Sequence, residues 1–130
     1  MHPKTVCREL VVLLQDPTPS VRAAAAYALG KMKSHRARRW LIQTLADPEA
    51  DVRRAAAWAL GMLSGPHGAQ PLQAVALEDR DETVRLEALR ALRRLDWPSV
   101  ESLLETVLQS DDPVRRARAI EQLGERGDFR

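Results

Sequence analysis

Apolar and polar positions alternate along this chain with a helical period, and the pattern returns four times. Counting from Val21, apolar residues fall at offsets four, seven and eight: Ala25, Ala28 and Leu29. The same offsets from Val52 give Ala56, Ala59 and Leu60, and from Val84 they give Ala88, Ala91 and Leu92. At about 100° per residue these positions share one stripe, which predicts an amphipathic helix each time. A fourth segment runs through Val114-Arg115 to Leu123-Gly124, so the valines stand at 21, 52, 84 and 114, spaced by 31, 32 and 30 residues. A period near 31 marks stacked repeat units rather than one irregular core.

Each unit reads as a pair of helices. The first helices are expected over residues 5–15, 37–46, 69–78 and 98–109. Their inward positions are Leu10, Leu13 and Leu14; Leu41 and Leu45; Leu72, Val75 and Leu77; and Leu103, Leu104, Val107 and Leu108. Pro71 and Pro98 fall in or near a first turn, where the missing N–H costs little. Between the helices of a unit stand Asp16-Pro17, Asp47-Pro48, Asp79-Arg80-Asp81 and Asp112-Pro113, where Pro stops one helix and Asp or Ser caps the next. Gly30, Gly61 and Gly124 follow the last Leu of the stripe, a place where helices end in a left-handed residue. In the fourth unit the turn is one residue shorter, and Arg115, Ala119 and Leu123 offer an alternative register. No unit of this size buries its stripe alone. The expected fold is all-α: a short right-handed α-solenoid of eight helices. Residues 1–130 form one domain, with repeats over 5–32, 37–63, 69–95 and 98–126.

Composition agrees with helices. Aromatic residues are 4% and Asn is absent, so the residue types that favour sheets and tight turns are scarce. With 45% apolar and 29% charged residues, the 130-residue chain supports a packed core and a solvated surface. No apolar run reaches the roughly 18–20 residues a bilayer span needs. The single cysteine, Cys7, fits a reducing compartment. With no apolar leader after Met1, the expected location is the cytoplasm.

Asp16-Pro17…Val21-Arg22-Ala23-Ala24-Ala25…Ala28-Leu29-Gly30 and Asp47-Pro48…Val52-Arg53-Arg54-Ala55-Ala56-Ala57…Ala59-Leu60-Gly61 resemble HEAT-like repeats of the variety first associated with phycobilisome lyases. The resemblance weakens in the third unit, where Arg93 replaces the terminal Gly. It implies an α-solenoid whose second helices line a concave surface, and most often a protein–protein interaction role. Some related repeat proteins build a di-iron site from His-Glu pairs; His2, His35 and His67 form no such pair, so no metal and no cofactor is expected. His35 and His67 hold equivalent inter-unit loop positions suited to turn hydrogen bonds. Without a phosphate loop, a Ser-His-Asp set or paired carboxylates, catalysis is not expected.

The repeated Asp16/Arg22, Asp47/Arg53 and Asp79/Arg85 pairs read as a stacking ladder. Taken as exposed pairs, they would contribute roughly 0–1 kcal/mol each; in the last unit Asp111 or Asp112 with Arg115 would serve. The polar ridge of the second helices is more distinctive. Offset six carries Tyr27, Trp58 and Arg90, offset two carries Ala23, Arg54 and Leu86, and offset ten carries Lys31, Met62 and Arg94. Aromatics beside arginines have the composition of an interface anchor. The expected partner-binding set is therefore Tyr27, Lys31, Arg54, Trp58, Met62, Arg90 and Arg94, facing a protein with an acidic, partly apolar surface. If Tyr27 and Trp58 instead fold onto neighbouring helices, they merely thicken the core.

A second feature is Lys31-Met32-Lys33-Ser34-His35-Arg36-Ala37-Arg38-Arg39. Cations at a helix start oppose the macrodipole, so Lys33, Arg36, Arg38 and Arg39 suggest either an anionic partner or a solvated loop balanced by nearby acids. Nucleic acid is the lesser expectation, because the net charge is only +2. An accessory subunit of an enzyme such as a bilin lyase is a further alternative. Trp40 and Trp97 read as packing residues, and Val11 and Val12 lie outside the core stripe, which allows self-association.

Overall fold

The computed structural model describes residues 2–64, 66–95 and 99–126. Eight helices follow in order: α1 (Pro3–Leu13), α2 (Pro19–Lys31), α3 (Arg38–Thr44), α4 (Ala50–Met62), α5 (Ala69–Glu78), α6 (Glu82–Arg94), α7 (Ser99–Gln109) and α8 (Pro113–Arg126). Short 3-10 turns, His35–Ala37 and Pro66–Gly68, lead into α3 and α5. No strand occurs among the described residues, and the fold is the expected short α-solenoid. The expected Pro98 and Trp97 positions lie outside the described residues, as does the side chain of Leu103.

The even-numbered helices form the tight layer. α2 lies along α4 and α4 along α6 with backbones close together, whereas the odd-numbered helices meet mainly their own partners. A layer packed closely on one side and splayed on the other curves toward the tight side, so α2, α4 and α6 form the inner face. The predicted stripe is sealed between layers: Leu29, Leu60, Leu92, Val52 and Val84 are fully buried with Leu41, Leu72 and Leu77. Leu13, Leu104 and Leu108, expected inside, point outward instead. Leu13 is the last residue of α1, where the turn toward Asp16 rotates the chain away from the core.

Small residues set the close approach. Gly30 and Gly61 do not end their helices, as expected from sequence; both lie inside α2 and α4. A Cβ added at Gly30 would lie 2.7 Å from the Ala59 Cα, and one at Gly61 would lie 2.7 Å from the Ala91 Cα. These glycines are the crossing points of successive inner helices. The left-handed residue that ends α2 is Lys33, at φ 50°. There the Ser34 amide donates to the Leu29 carbonyl at 3.1 Å and the Lys33 amide to the Gly30 carbonyl at 3.0 Å, the two bonds of a Schellman closure.

The acidic turns differ from expectation too. Asp16 and Asp47 do not cap α2 and α4, whose N-caps are Thr18 and Glu49 without side-chain bonds. Each carboxylate instead accepts the amide two residues on, Thr18 or Glu49, at 2.9 Å, closing an Asx turn. Asp79 does the same for Asp81. Asp81 is a true cap, accepting from the amides of Thr83 and Val84 and from the Thr83 hydroxyl. The Thr83 hydroxyl first, then the Val84 amide, hold its carboxyl below the usual range. The stability it lends α6 is therefore full above the usual carboxylate range and is lost as pH falls through the lowered value.

The arginine ladder is buried rather than exposed. Arg22 reaches the next unit's Asp47 through Nε at 2.8 Å and Nη2 at 3.1 Å, while its Nη1 donates to its own unit's Asp16 carbonyl at 2.8 Å. Arg53 repeats this with Asp79 at 2.9 and 3.1 Å and with the Asp47 carbonyl at 2.9 Å. Its side chain is 8% exposed and that of Asp79 is 7%. The bond to Asp79 raises the Arg53 guanidinium further above its ordinary value. Arg85 keeps the first contact, to the Asp79 carbonyl at 2.8 Å, but no carboxylate among the described residues ion-pairs with it. The ladder stops there because Ser110 holds the place of the next Asp.

The fourth unit departs from the stack. Val114 is exposed and Ala119 buried, so the register counted from Arg115 holds and that from Val114 fails. Arg116, not Arg115, is then the ladder arginine, and its Nη1 donates to the Ser110 carbonyl at 2.8 Å. Arg115 pairs with Glu78 at 2.7 Å instead of Asp111 or Asp112. In this register Arg93 of α6 stands where Gly30 and Gly61 stand, and Gln122 stands where Ala59 and Ala91 stand. Neither side of the third junction can approach closely. α8 accordingly packs chiefly on α7 and α5, burying Ala119 with Leu77, and Arg118 donates to the Glu78 carbonyl at 2.9 Å.

Two substitutions separate these roles. Gly30→Ala, favourable by helix propensity alone, lowers stability by about 1–3 kcal/mol because the methyl meets backbone. Lys33→Gly raises it by up to about 1 kcal/mol by relieving the left-handed residue. Urea denaturation checks both signs. Arg53→Ala leaves the Asp79 carboxylate unpaired in its sealed turn and costs about 3–5 kcal/mol, measured the same way.

Candidate functional site

The inner ridge brings offsets two, six and ten of α2, α4 and α6 onto one surface. Tyr27 and Trp58 touch, with ring centroids 5.3 Å apart and planes tilted by 59°. Both are half-buried and lean on the core. The reason is Gly30: the Trp58 ring fills the space beside it, its Cζ3 atom 2.8 Å from where a Cβ would be. At Gly61 the same space is filled by Arg94, whose Nη1 would lie 2.9 Å from an added Cβ. The aromatic pair is thus partly a wall of the helix seam and partly open surface.

The charged members surround it. Arg54 is half-buried and pairs with Asp51 at 3.3 Å across one helical turn. Arg90 and Lys31 are exposed, and Met62 is half-buried. Arg94 reaches Glu87 at 3.4 Å. A groove of about 620 Å3 opens between the N-terminal halves of α2 and α4, lined by Pro19, Ala23, Tyr27, Glu49, Asp51 and Arg54 among others. The sequence reading did not name Pro19, Glu49 or Asp51. Their signal was available: α2 and α4 run parallel, so the first turns of both open on the same edge.

The basic stretch is divided by the fold. Arg38 turns inward, its Nη2 donating to the Ser64 carbonyl at 2.8 Å, which ties the start of α3 to the loop after α4. Lys33, Arg36 and Arg39 are exposed, and Arg39 lies over the Trp40 ring at 4.7 Å. His35 bridges the Lys33 carbonyl at 2.9 Å and the Ser64 hydroxyl at 3.1 Å, in keeping with a turn role. Cys7 is buried, its Sγ 2.6 Å from the Ser34 hydroxyl. Among the described residues no group of three or more His, Cys, Asp or Glu is placed to hold a metal. No described helix is long and apolar enough to cross a membrane.

The repeat geometry, the buried ladder and the inner ridge together define the class. The chain belongs to the HEAT repeat family, whose pattern, described as HEAT repeats, matches residues 7–93 and 69–129. Comparison with curated proteins gives no match. HEAT repeats generally mediate protein interaction or scaffolding, and the family is typically non-catalytic.

Because Trp58 fills the seam beside Gly30, its loss opens a gap in the inner layer. Trp58→Ala lowers stability by about 2–4 kcal/mol, whereas Arg90→Ala stays within about 0.5 kcal/mol of the wild type. Thermal melts followed by circular dichroism distinguish the two.

Proposed function

We propose that this chain is a non-catalytic adaptor that holds a partner protein against its inner ridge. The observation that supports this reading best is the Tyr27–Trp58 pair, half open beside the groove between α2 and α4. Rigid aromatics with arginines around them supply contact area at low entropic cost. Arg90, Arg94 and Lys31 lie farther along the same ridge and favour a partner with acidic side chains around an apolar centre. Glu49 and Asp51 at the groove's edge would set the orientation of that partner by accepting a cation from it. In this reading residues 1–130 act as one repeat domain of four units in the cytoplasm, related in type to the phycobilisome-lyase variety of HEAT-like repeat.

The exposed Lys33, Arg36 and Arg39 sit away from this ridge and define the rival contact, an anionic surface such as a nucleic acid. The test is affinity capture from the native host followed by mass spectrometry, with two variants run beside the wild type. Lys31→Glu with Arg90→Glu, both at exposed positions, is expected to lose the captured protein with little change in melting temperature, while Arg36→Glu with Arg39→Glu retains it. The reverse pattern overturns the inner-ridge reading and favours the basic stretch.

A further inference from the structure

Each seam between inner helices in this chain has two halves. The leading helix supplies an arginine and, eight residues on, a glycine: Arg22 with Gly30, and Arg53 with Gly61. The trailing unit supplies an aspartate and, twelve residues on, an alanine: Asp47 with Ala59, and Asp79 with Ala91. Both seams are closed by the same bidentate ion pair and the same glycine–alanine contact.

Among the described residues one half of each kind is left open, one on α8 and the other on α2 with the turn before it. α8 carries a leading half, Arg116 and Gly124. Among the described residues its face is open: a Cβ added at Gly124 meets nothing within 4 Å. Ile120 is 56% exposed, although Ala26 and Ala57 at the same register are sealed. Arg116 is already held by its own turn carbonyl at 2.8 Å, the posture that Arg22 and Arg53 adopt before reaching the next unit. α2 and the turn before it carry a trailing half, Asp16 and Ala28. The Asp16 carboxylate accepts the Thr18 amide, but no arginine among the described residues pairs with it. Ala28 is half-buried and Ala24 exposed, where Ala59 and Ala55 in α4 are fully sealed.

We infer that a second copy of this chain is the occupant of both faces: α2 of one copy stacks on α8 of another, with Arg116 paired to Asp16 and Gly124 crossing Ala28. The opposite charges and the two filled seams specify this arrangement, and α6 cannot make it because Arg93 stands in the glycine place. The contact joins unlike surfaces, so it adds copies head to tail and has no two-fold closure. The contact borders the inner ridge, because Tyr27 holds in α2 the place that Trp58 holds in α4, but its test reads assembly of this chain alone and needs no partner protein.

Sedimentation velocity on the 130-residue chain from about 1 μM to about 1 mM, the range of weak specific contacts, tests it. The average mass is expected to climb with concentration past twice 14.6 kDa without stopping at a dimer. Gly124→Arg copies onto α8 the residue that α6 carries, in open space, and is expected to stay monomeric with an unchanged melt. Asp16→Ser keeps a turn acceptor, as Ser110 does for the Asp112 amide, and is expected to weaken assembly at least tenfold. Mixed where each alone is monomeric, the two variants supply the halves the other lacks and form a one-to-one dimer that grows no further. A wild type that remains monomeric or stops at a dimer, a Gly124→Arg variant that assembles like wild type, or a mixture that stays monomeric overturns the inference.

Discussion

The architecture depends on how closely two inner helices can approach. With glycine on one helix and alanine on the next, backbone meets backbone and leaves no room for a further carbon. That contact fixes the spacing of the inner layer, and with it the curvature. It also sets the distance across which Arg22 and Arg53 can make two-pronged bonds to Asp47 and Asp79. A bidentate guanidinium–carboxylate pair tolerates little misalignment, so the ladder reads out the seam rather than creating it. Where Arg93 occupies the glycine place, the ion pair is absent as well and the next hairpin goes elsewhere.

Much of this was legible in the amino-acid order. The period near 31, the stripe at offsets zero, four, seven and eight, and the position of α5 follow from apolar spacing alone, because burial of Leu29, Leu60 and Leu92 requires it. The alternative register through Arg115 and Ala119 was legible too, since only that frame places an alanine at offset four. The role of the glycines was not. A glycine one residue before a helix end looks like a terminator from sequence, and only the neighbour's position reveals it as a crossing point. Nor does sequence distinguish an arginine that pairs at the surface from one enclosed between two turns.

The candidate site shows the same division. Offsets two, six and ten do share the inner face, as the helical period requires. That Trp58 leans across Gly30 to touch Tyr27 depends on the adjacent helix, so sequence left open whether this ring is an exposed anchor or core, and in the structure it is partly each. Arg38, one of four cations grouped by sequence proximity, is withdrawn to Ser64, leaving a smaller exposed basic surface than the run of residues suggests.

The posture of the ladder arginines has a further consequence. Each guanidinium is fastened first to the carbonyl of its own turn, six residues back, so a unit pre-shapes its docking edge before any neighbour arrives. The last hairpin, lacking a carboxylate to receive Arg85, is coupled to the others mainly through the C-terminal end of α5, so it can open as a cooperative block of its own while the three preceding units stay locked.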